Sequence, residues 1–565
     1  LTFGGAFTLT IGITGGVIRV ASAASPVWDD TPSTGVIDPT GGTIQLDPTV
    51  VTTYGITTKA STRFNNLVLA GGSNSVIFNP NQNLVIDGNM TLSGGTFSWD
   101  DTLAPTTGTL AHSVAGTFTQ SGGLMATNRQ AGVGSTLTVT GDVSVTGGSF
   151  DNANSAGSVT VGASDEWIVG ANVTVTATAW ECGTALRIDD IDPAGAHTLS
   201  MASGSMVKYL KLTADGEAYS VTTANAYCGF CVLSTGTLTV GGTSPSFNCG
   251  STPGGGWPGG DPPFAFRFSG ATPPANRVLN VSAGTLTTSA SGAFNDSGGN
   301  GTVNLSAGTL TVGTGGFNFP DSLDFAISLT GGTLQCAGGW EVVDSADAGL
   351  PTWSMTTSTV EWNGTAAQAV AHGGGNLGAA PFYNLTQNGG ARTVTPSTAL
   401  RVDATWSINA GTFTTNGLNH EGRGGVTVGW DADATAATLL VTASSTFTHN
   451  VAVVSDLRVN GAGAGGGGAL QINGGGTLRL SDSSRLWILK DGQADDGALV
   501  TSGTSASSRA VISRLASYVG AENYEVVITG TAAIEYLTWQ YVDANGVQGD
   551  SASVGADAIL TGWTG

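Results

Sequence analysis

Ala283-Gly284-Thr285-Leu286-Thr287-Thr288, Ala307-Gly308-Thr309-Leu310-Thr311-Val312 and Gly331-Gly332-Thr333-Leu334-Gln335-Cys336 set their glycines 24 residues apart. The phrase stands earlier as Thr235-Gly236-Thr237-Leu238-Thr239-Val240, two such steps before Gly284, and as Gly94-Gly95-Thr96-Phe97-Ser98-Trp99. A fixed period of this size marks a chain that stacks one small unit on itself. Within the phrase, alternation of apolar residues with threonine is strand periodicity, and the glycine supplies a turn.

Around the phrase, Val303, Leu305, Leu310 and Val312 are predicted to face inward, with Asn304, Thr309 and Thr311 between them. One period back stand Leu279, Val281 and Leu286, and one period on stand Ile327, Leu329 and Leu334. Stacking in register predicts an interior column of Leu238, Leu286, Leu310 and Leu334, and a side-chain amide ladder through Asn280 and Asn304. A longer repeat joins distant regions, because Leu84 to Phe97 parallels Leu400 to Phe413. Each copy is preceded by Phe-x-Asn-Leu, at Phe64 to Leu67 and at Phe382 to Leu385. Elsewhere the spacing slips, so the coils are unequal.

Composition agrees with an ordered β protein. Of 565 residues, 87 are glycine and 40% are hydrophobic, too apolar for a disordered chain. The formal net charge is −22 and only four residues are lysine, so no basic stripe exists to neutralise the phosphates of a nucleic acid. No run of 18 apolar residues is present to cross a membrane as a helix.

The fold class that follows is all-β: a parallel β-helix or β-solenoid with unequal coils of about 20–30 residues. Tandem β-sandwich domains are the alternative. Residues 1–30 read as an N-terminal β segment, since Phe7, Leu9, Ile11 and Ile13 alternate with small polar residues, and this segment is a candidate intersubunit strand. The ending Ala21-Ser22-Ala23-Ala24 superficially matches a leader cleavage site, but the alternation is that of a strand in a mature chain. Residues 31–248 form a first solenoid segment and 279–498 a second. Between them, 249–278 holds six of the 18 prolines and the run Gly254-Gly255-Gly256, an excursion or hinge. Residues 499–565 return to alternating strands as C-terminal coils or a cap. Val511, Leu515, Tyr518 and Val519 give the only helix-like spacing.

The run Ser358-Thr359-Val360-Glu361-Trp362-Asn363-Gly364-Thr365-Ala366-Ala367-Gln368, then Phe382-Tyr383-Asn384-Leu385-Thr386 and Val402 to Phe413, resembles the repeats of large secreted bacterial surface proteins. The likeness extends at repeat level over about a third of the chain. It implies a parallel β-helix of the kind in adhesins and autotransporter passengers, and secretion. Its motifs are structural, so no catalytic residue is carried across.

Solenoids of this shape also host polysaccharide-active enzymes, which makes the carboxylates worth weighing. The clusters are Asp29-Asp30, Asp100-Asp101, Asp189-Asp190-x-Asp192, Asp431-x-Asp433 and Asp495-Asp496. Glycoside hydrolysis needs two carboxylates across a sugar, one with its pKa raised. Trp-Asp-Asp-Thr, however, occurs twice, at Trp28 to Thr31 and Trp99 to Thr102, which points to turn capping. Asp189, Asp190 and Asp192 have the density of a calcium loop without the EF-hand pattern, and Ca2+ is the one cofactor left open. Cys228, Cys231 and Cys249 fall within 22 residues and fit an oxidised surface disulfide; zinc lacks a second pair of close ligands. Cys182 and Cys336 complete the count, and Cys336 reads as a buried core thiol. His112, His197, His372, His420 and His449 share no metal spacing. Sequons stand at Asn89, Asn172, Asn280, Asn304, Asn363 and Asn384. No residue is therefore assigned as catalytic, cofactor-binding or metal-ligating. The expected function is an extracellular, self-assembling cell-surface or filament subunit, without enzymatic activity, whose partners are its own copies and surface glycans. The alternative is a polysaccharide-binding or polysaccharide-degrading β-helix, including the phage tail-spike type.

Overall fold

The computed structural model describes the chain except residues 1–12, 22, 24, 32–39, 51, 74–75, 99–109, 128–135, 153–165, 178–180, 189–196, 203–204, 213–217, 222–225, 234–235, 242–245, 250–265, 269–276, 289–291, 297–300, 320–324, 343–351, 373–380, 430–436, 443–444, 450–456, 461–467, 481–484, 490–496, 503–508, 515–523, 529–530, 536, 540–541 and 550–565. Among the described residues there are strands and no helix, and the strand pairing is parallel. The sheets are long and none closes into a barrel, so the fold is a parallel β-solenoid. Contacts divide the chain into two units, Leu1–Ser289 and Ala290–Gly565.

In the early coils of the first unit short strands lie on three faces, and farther on single strands such as Phe118–Thr127 run over two of them. The first face stacks Val17–Val20, Thr43–Leu46, Asn66–Ala70 and Met90–Gly94. The second stacks Trp28–Asp29, Thr53–Thr57, Ile77–Pro80 and Thr96–Ser98. The third stacks Arg63–Phe64, Val85–Ile86, Ala111–Val114 and Thr136–Val139. The second unit, its faces counted from its own first strands, repeats the plan. Gly301–Leu305 pairs with Phe325–Leu329 on one face, Thr309–Val312 with Thr333–Cys336 on the next, and Phe317–Phe319 with Trp340–Val342 on the third.

The predicted inward set is buried: Val303, Leu305, Leu310, Val312, Ile327, Leu329 and Leu334 are each fully enclosed. Leu310 faces Leu334 and Val312 faces Cys336 in register, so Cys336 is the core thiol the sequence indicated. Large rings fill part of the second unit's interior. Phe317 stacks on Trp340 with centroids 5.0 Å apart, and His372 stacks on Phe382 at 4.2 Å. Burial of this kind contributes roughly 25 cal/mol per Å² of apolar surface and offsets the entropy of ordering so glycine-rich a chain.

The glycine of the phrase turns the corner. Gly95, Gly236, Gly284, Gly308 and Gly332 all have positive φ, between 67° and 80°. At Gly332 a Cβ would also collide with the Gly308 carbonyl oxygen of the coil before, so conformation and close approach both demand glycine there.

The column predicted through Leu238 is corrected. Leu238 sits on the first face, between Tyr219 and Leu279, whereas Leu286 lies in the strand that pairs with Ser246–Cys249 on the second. Gly236 and Gly284 therefore do not mark the same point of two coils. The phrase specifies a corner and a strand, and either face accepts it. Asn280 reaches back to the Thr239 hydroxyl at 3.5 Å within its own unit, and Asn304 stands beside Ser328 in register.

Amide ladders do occur, at the corner entering the first face. Asn66 Oδ1 accepts the Asn89 backbone N–H at 2.8 Å, and Asn89 Oδ1 accepts the Thr117 N–H at 2.8 Å. Farther along, Asp142 Oδ1 accepts from Asn172, and Asn172 Oδ1 accepts the Thr198 N–H at 2.8 Å. Each side chain satisfies a backbone donor that the turn would leave without a partner. The sequon residues Asn89 and Asn172 are thus structural, and the Asn384 amide likewise donates to Ser358 O at 3.2 Å. Of the helix-like spacing, Val511 belongs to the strand Ala510–Arg514, and Leu515, Tyr518 and Val519 lie outside the described residues.

Candidate functional site

Asp29 and Asp30 are consumed as caps. Asp29 Oδ1 accepts the Thr31 N–H at 3.1 Å and its hydroxyl at 2.7 Å. Asp30, 1% exposed, accepts the Lys59 N–H at 2.9 Å and the Thr62 hydroxyl, tying its coil to the next. The other clusters, Asp100-Asp101, Asp189-Asp190-x-Asp192, Asp431-x-Asp433 and Asp495-Asp496, lie outside the described residues, as does Trp99 to Thr102. Asp87 is held by Arg63, whose Nε donates at 2.8 Å and whose hydrogen bonds keep that carboxyl below the usual range. Asp47 pairs with Arg19, and Glu421 with Arg423 at 3.2 Å.

On the outer surface of the second unit a polar ladder climbs four coils. The Thr311 hydroxyl donates to Gln335 Oε1 at 3.0 Å, and Gln335 Nε2 donates to Glu361 Oε2 at 2.9 Å. Asn388 Nδ2 fills the other carboxylate oxygen, Glu361 Oε1, at 3.1 Å. Glu361 carries the negative charge of this column, and both its oxygens are occupied.

Four histidines are buried and bonded to the chain. His112 and His420 hold equivalent positions, each two residues after a leucine (Leu110, Leu418) and downstream of the two copies of the long repeat. His112 Nδ1 accepts the Leu84 N–H at 3.0 Å, and His420 Nδ1 accepts the Leu400 N–H at 3.1 Å. Leu84 and Leu400 open those two copies, and Phe97 and Phe413, which close them, meet His112 and His420 edge to face. His420 Nε2–H donates to Thr415 O at 3.0 Å, which fixes the tautomer, and burial pushes the imidazole down to about 4. His197 Nε2 bonds Gly170 O at 2.9 Å, and His372 Nδ1 accepts from Trp340 Nε1–H at 3.3 Å.

The five cysteines are free thiols and all are buried, so the expected surface disulfide is corrected to an interior group. Strand pairing explains the burial. Cys228 and Cys249 are register partners on Ala226–Leu233 and Ser246–Cys249, with side chains on the inward phase of the alternation. Cys231 follows at the next inward position round the corner of its strand. The three thiols hydrogen-bond to one another. Burial raises Cys228 and Cys249; at Cys231 the hydrogen bonds accepted from the other two outweigh burial and bring it to about 6. Cys336 stands apart and is pushed up to about 11 by burial.

Among the described residues, no group of three or more His, Cys, Asp or Glu is placed to hold a metal ion. Two features escaped sequence reasoning: the paired histidine joints and the closeness of Cys228 to Cys249. Both had a signal. The histidines follow the two copies of one repeat, and the cysteines stand 21 residues apart, the length of a coil. Compared with family models, curated proteins and solved structures, the chain matches none.

Proposed function

We propose that this chain is an extracellular structural protein, a self-assembling cell-surface or filament subunit with an adhesive role. One observation carries the reading: five of the described titratable side chains bond from coil to coil. Asp30, Asp87, His112, His420 and Glu361 each bond a residue of a neighbouring coil. In a solenoid of this kind stability is summed from coil to coil, and the ends expose strand edges. Val17–Val20 pairs with Thr43–Leu46 on one edge, and among the described residues no strand pairs with its other edge. Val17, on that strand, is 62% exposed. Both features favour a second copy of the chain as the partner, added by β-augmentation.

The test is electron microscopy of the purified chain together with a variant lacking residues 1–20. Filaments from the full chain and folded monomers from the variant are expected. Particles from the full chain would overturn self-assembly, and filaments from the variant would overturn this edge as its route. Binding of the full chain to arrays of surface glycans tests the adhesive role.

A further inference from the structure

We propose that Cys228, Cys231 and Cys249 form a buried oxidation site, in which a small-molecule disulfide converts the Cys228–Cys249 pair into a cross-coil bond and Cys231 relays the exchange. The pair is set for it by register. Neighbouring parallel strands lie about 4.8 Å apart, inside the roughly 4.4–6.8 Å between Cα atoms that a disulfide spans. Cys228 and Cys249 face each other directly across that spacing, both side chains inward and both fully enclosed. The third thiol distinguishes the site from a chance pair, because Cys231 hydrogen-bonds to both partners and is the most acidic of the three.

The chemistry balances with a disulfide R–S–S–R as the named oxidant. The Cys231 thiolate attacks one sulfur of R–S–S–R, forming Cys231–S–S–R and releasing one RS−. The Cys249 sulfur attacks Cys231, forming Cys231–S–S–Cys249 and releasing the second RS−. Cys228 then attacks the Cys249 sulfur, and Cys231 departs as the thiolate. The lowest-pKa thiol is the best leaving group, so the exchange runs toward Cys228–Cys249. Two electrons pass from the pair to the oxidant, which ends as two RSH after taking up the two protons the pair gives up. Local separation of Ser246–Cys249 from its neighbour admits the reagent. The bond would pin Ser246–Cys249, the last described strand before the proline-rich sequence.

The folded full-length chain, reduced and freed of reductant, is incubated with oxidised glutathione, denatured in acid, alkylated and mapped by mass spectrometry. A peptide joining Cys228 to Cys249 is expected, two hydrogens lighter than its parts, with Cys182, Cys231 and Cys336 alkylated. In Cys231→Ser the same link should form about tenfold or more slowly, as expected when the attacking thiolate is removed. In Cys249→Ser the cross-coil link should vanish. Five alkylated thiols, a stable glutathione adduct on Cys231, a link through Cys182 or Cys336, or an unchanged rate in Cys231→Ser would each overturn the proposal.

Discussion

Acid should loosen the second unit at His420. Its imidazole is neutral in the fold, accepting the Leu400 N–H at Nδ1 and donating from Nε2 to Thr415 O, among the rings of Trp406 and Phe413. A proton on Nδ1 would turn that acceptor into a donor facing the Leu400 N–H. Burial depresses the folded pKa to about 4, against 6.5 for the free side chain. Above 6.5 both folded and unfolded chains carry a neutral ring, and pH has no leverage. Between 6.5 and 4 the unfolded chain binds the proton and the folded one does not, so stability falls as pH falls. Below 4 both are protonated and the loss saturates. The gap corresponds to a loss on the order of 3 kcal/mol at saturation, with about 2.5 kcal/mol of it reached by pH 4.5.

Carboxylates titrate over the same range, so the measurement is a difference between the native chain and His420→Gln. Glutamine offers an acceptor and a donor and does not titrate. Urea unfolding followed by tryptophan fluorescence, with Trp406 as the local reporter, is run from pH 7.5 to 4. The variant starts lower at pH 7.5, since it loses the ring's packing, but its curve should be flatter by about 2 kcal/mol or more between pH 6.5 and 4.5. Parallel curves would refute the reasoning, because they would mean that His420 charges as readily in the fold as out of it.

Other substitutions test the coil geometry. A Cβ at Gly424 would drive into the Ala404 carbonyl oxygen while one at Gly425 meets nothing within 4 Å; Gly424→Ala should cost about 3 kcal/mol or more and Gly425→Ala under about 0.5 kcal/mol by urea midpoint. Leu334→Ala empties a site in the interior column between Leu310 and Val360 and should cost about 2–5 kcal/mol in the same titration. Glu361→Gln sets an amide donor against the Gln335 or Asn388 amide and should cost about 1 kcal/mol, with no change in the circular dichroism of the folded chain. Arg63→Ala breaks a pair whose side chains are 49% and 36% exposed, and screening should hold the change below about 1 kcal/mol, shrinking further in added salt.

The solenoid was legible because its corner chemistry is written locally. A positive-φ glycine followed by Thr-apolar-Thr is enough to read a turn and an inward strand at Gly308 and Gly332, whatever lies elsewhere. Which face that strand joins is not local. Leu238 and Leu286 stand two periods apart, which reads as one column, yet the register puts Leu238 on the first face of their unit and Leu286 on the second. The long repeat, too, is not confined to one face. Leu84 to Phe97 crosses three faces of its unit, and Thr405–Ile408 and Gly411–Thr414 lie on two faces of theirs. Periodicity fixes the inward phase of each strand, and loop lengths, which carry no hydrophobic pattern, fix the face.

The same division separates what was readable in the site from what was not. Asp30 as a cap followed from Trp-Asp-Asp-Thr recurring with the repeat, since capping needs only the residue and its turn. The thiol group needed two facts at once: that Cys228 and Cys249 are one coil apart, and that both fall on the inward phase. Read as three cysteines in a short span, they pointed to the surface. Read as positions 21 residues apart in a chain of coils, they point to one interior column, a placement the register bears out. The histidines obey this rule too, because a residue that recurs after each copy of a repeat is held by the stacking itself. In a solenoid, then, an isolated reactive side chain should first be placed by coil length and inward phase. Here those two quantities bring the cysteines together in the core and turn the outer polar groups toward one another.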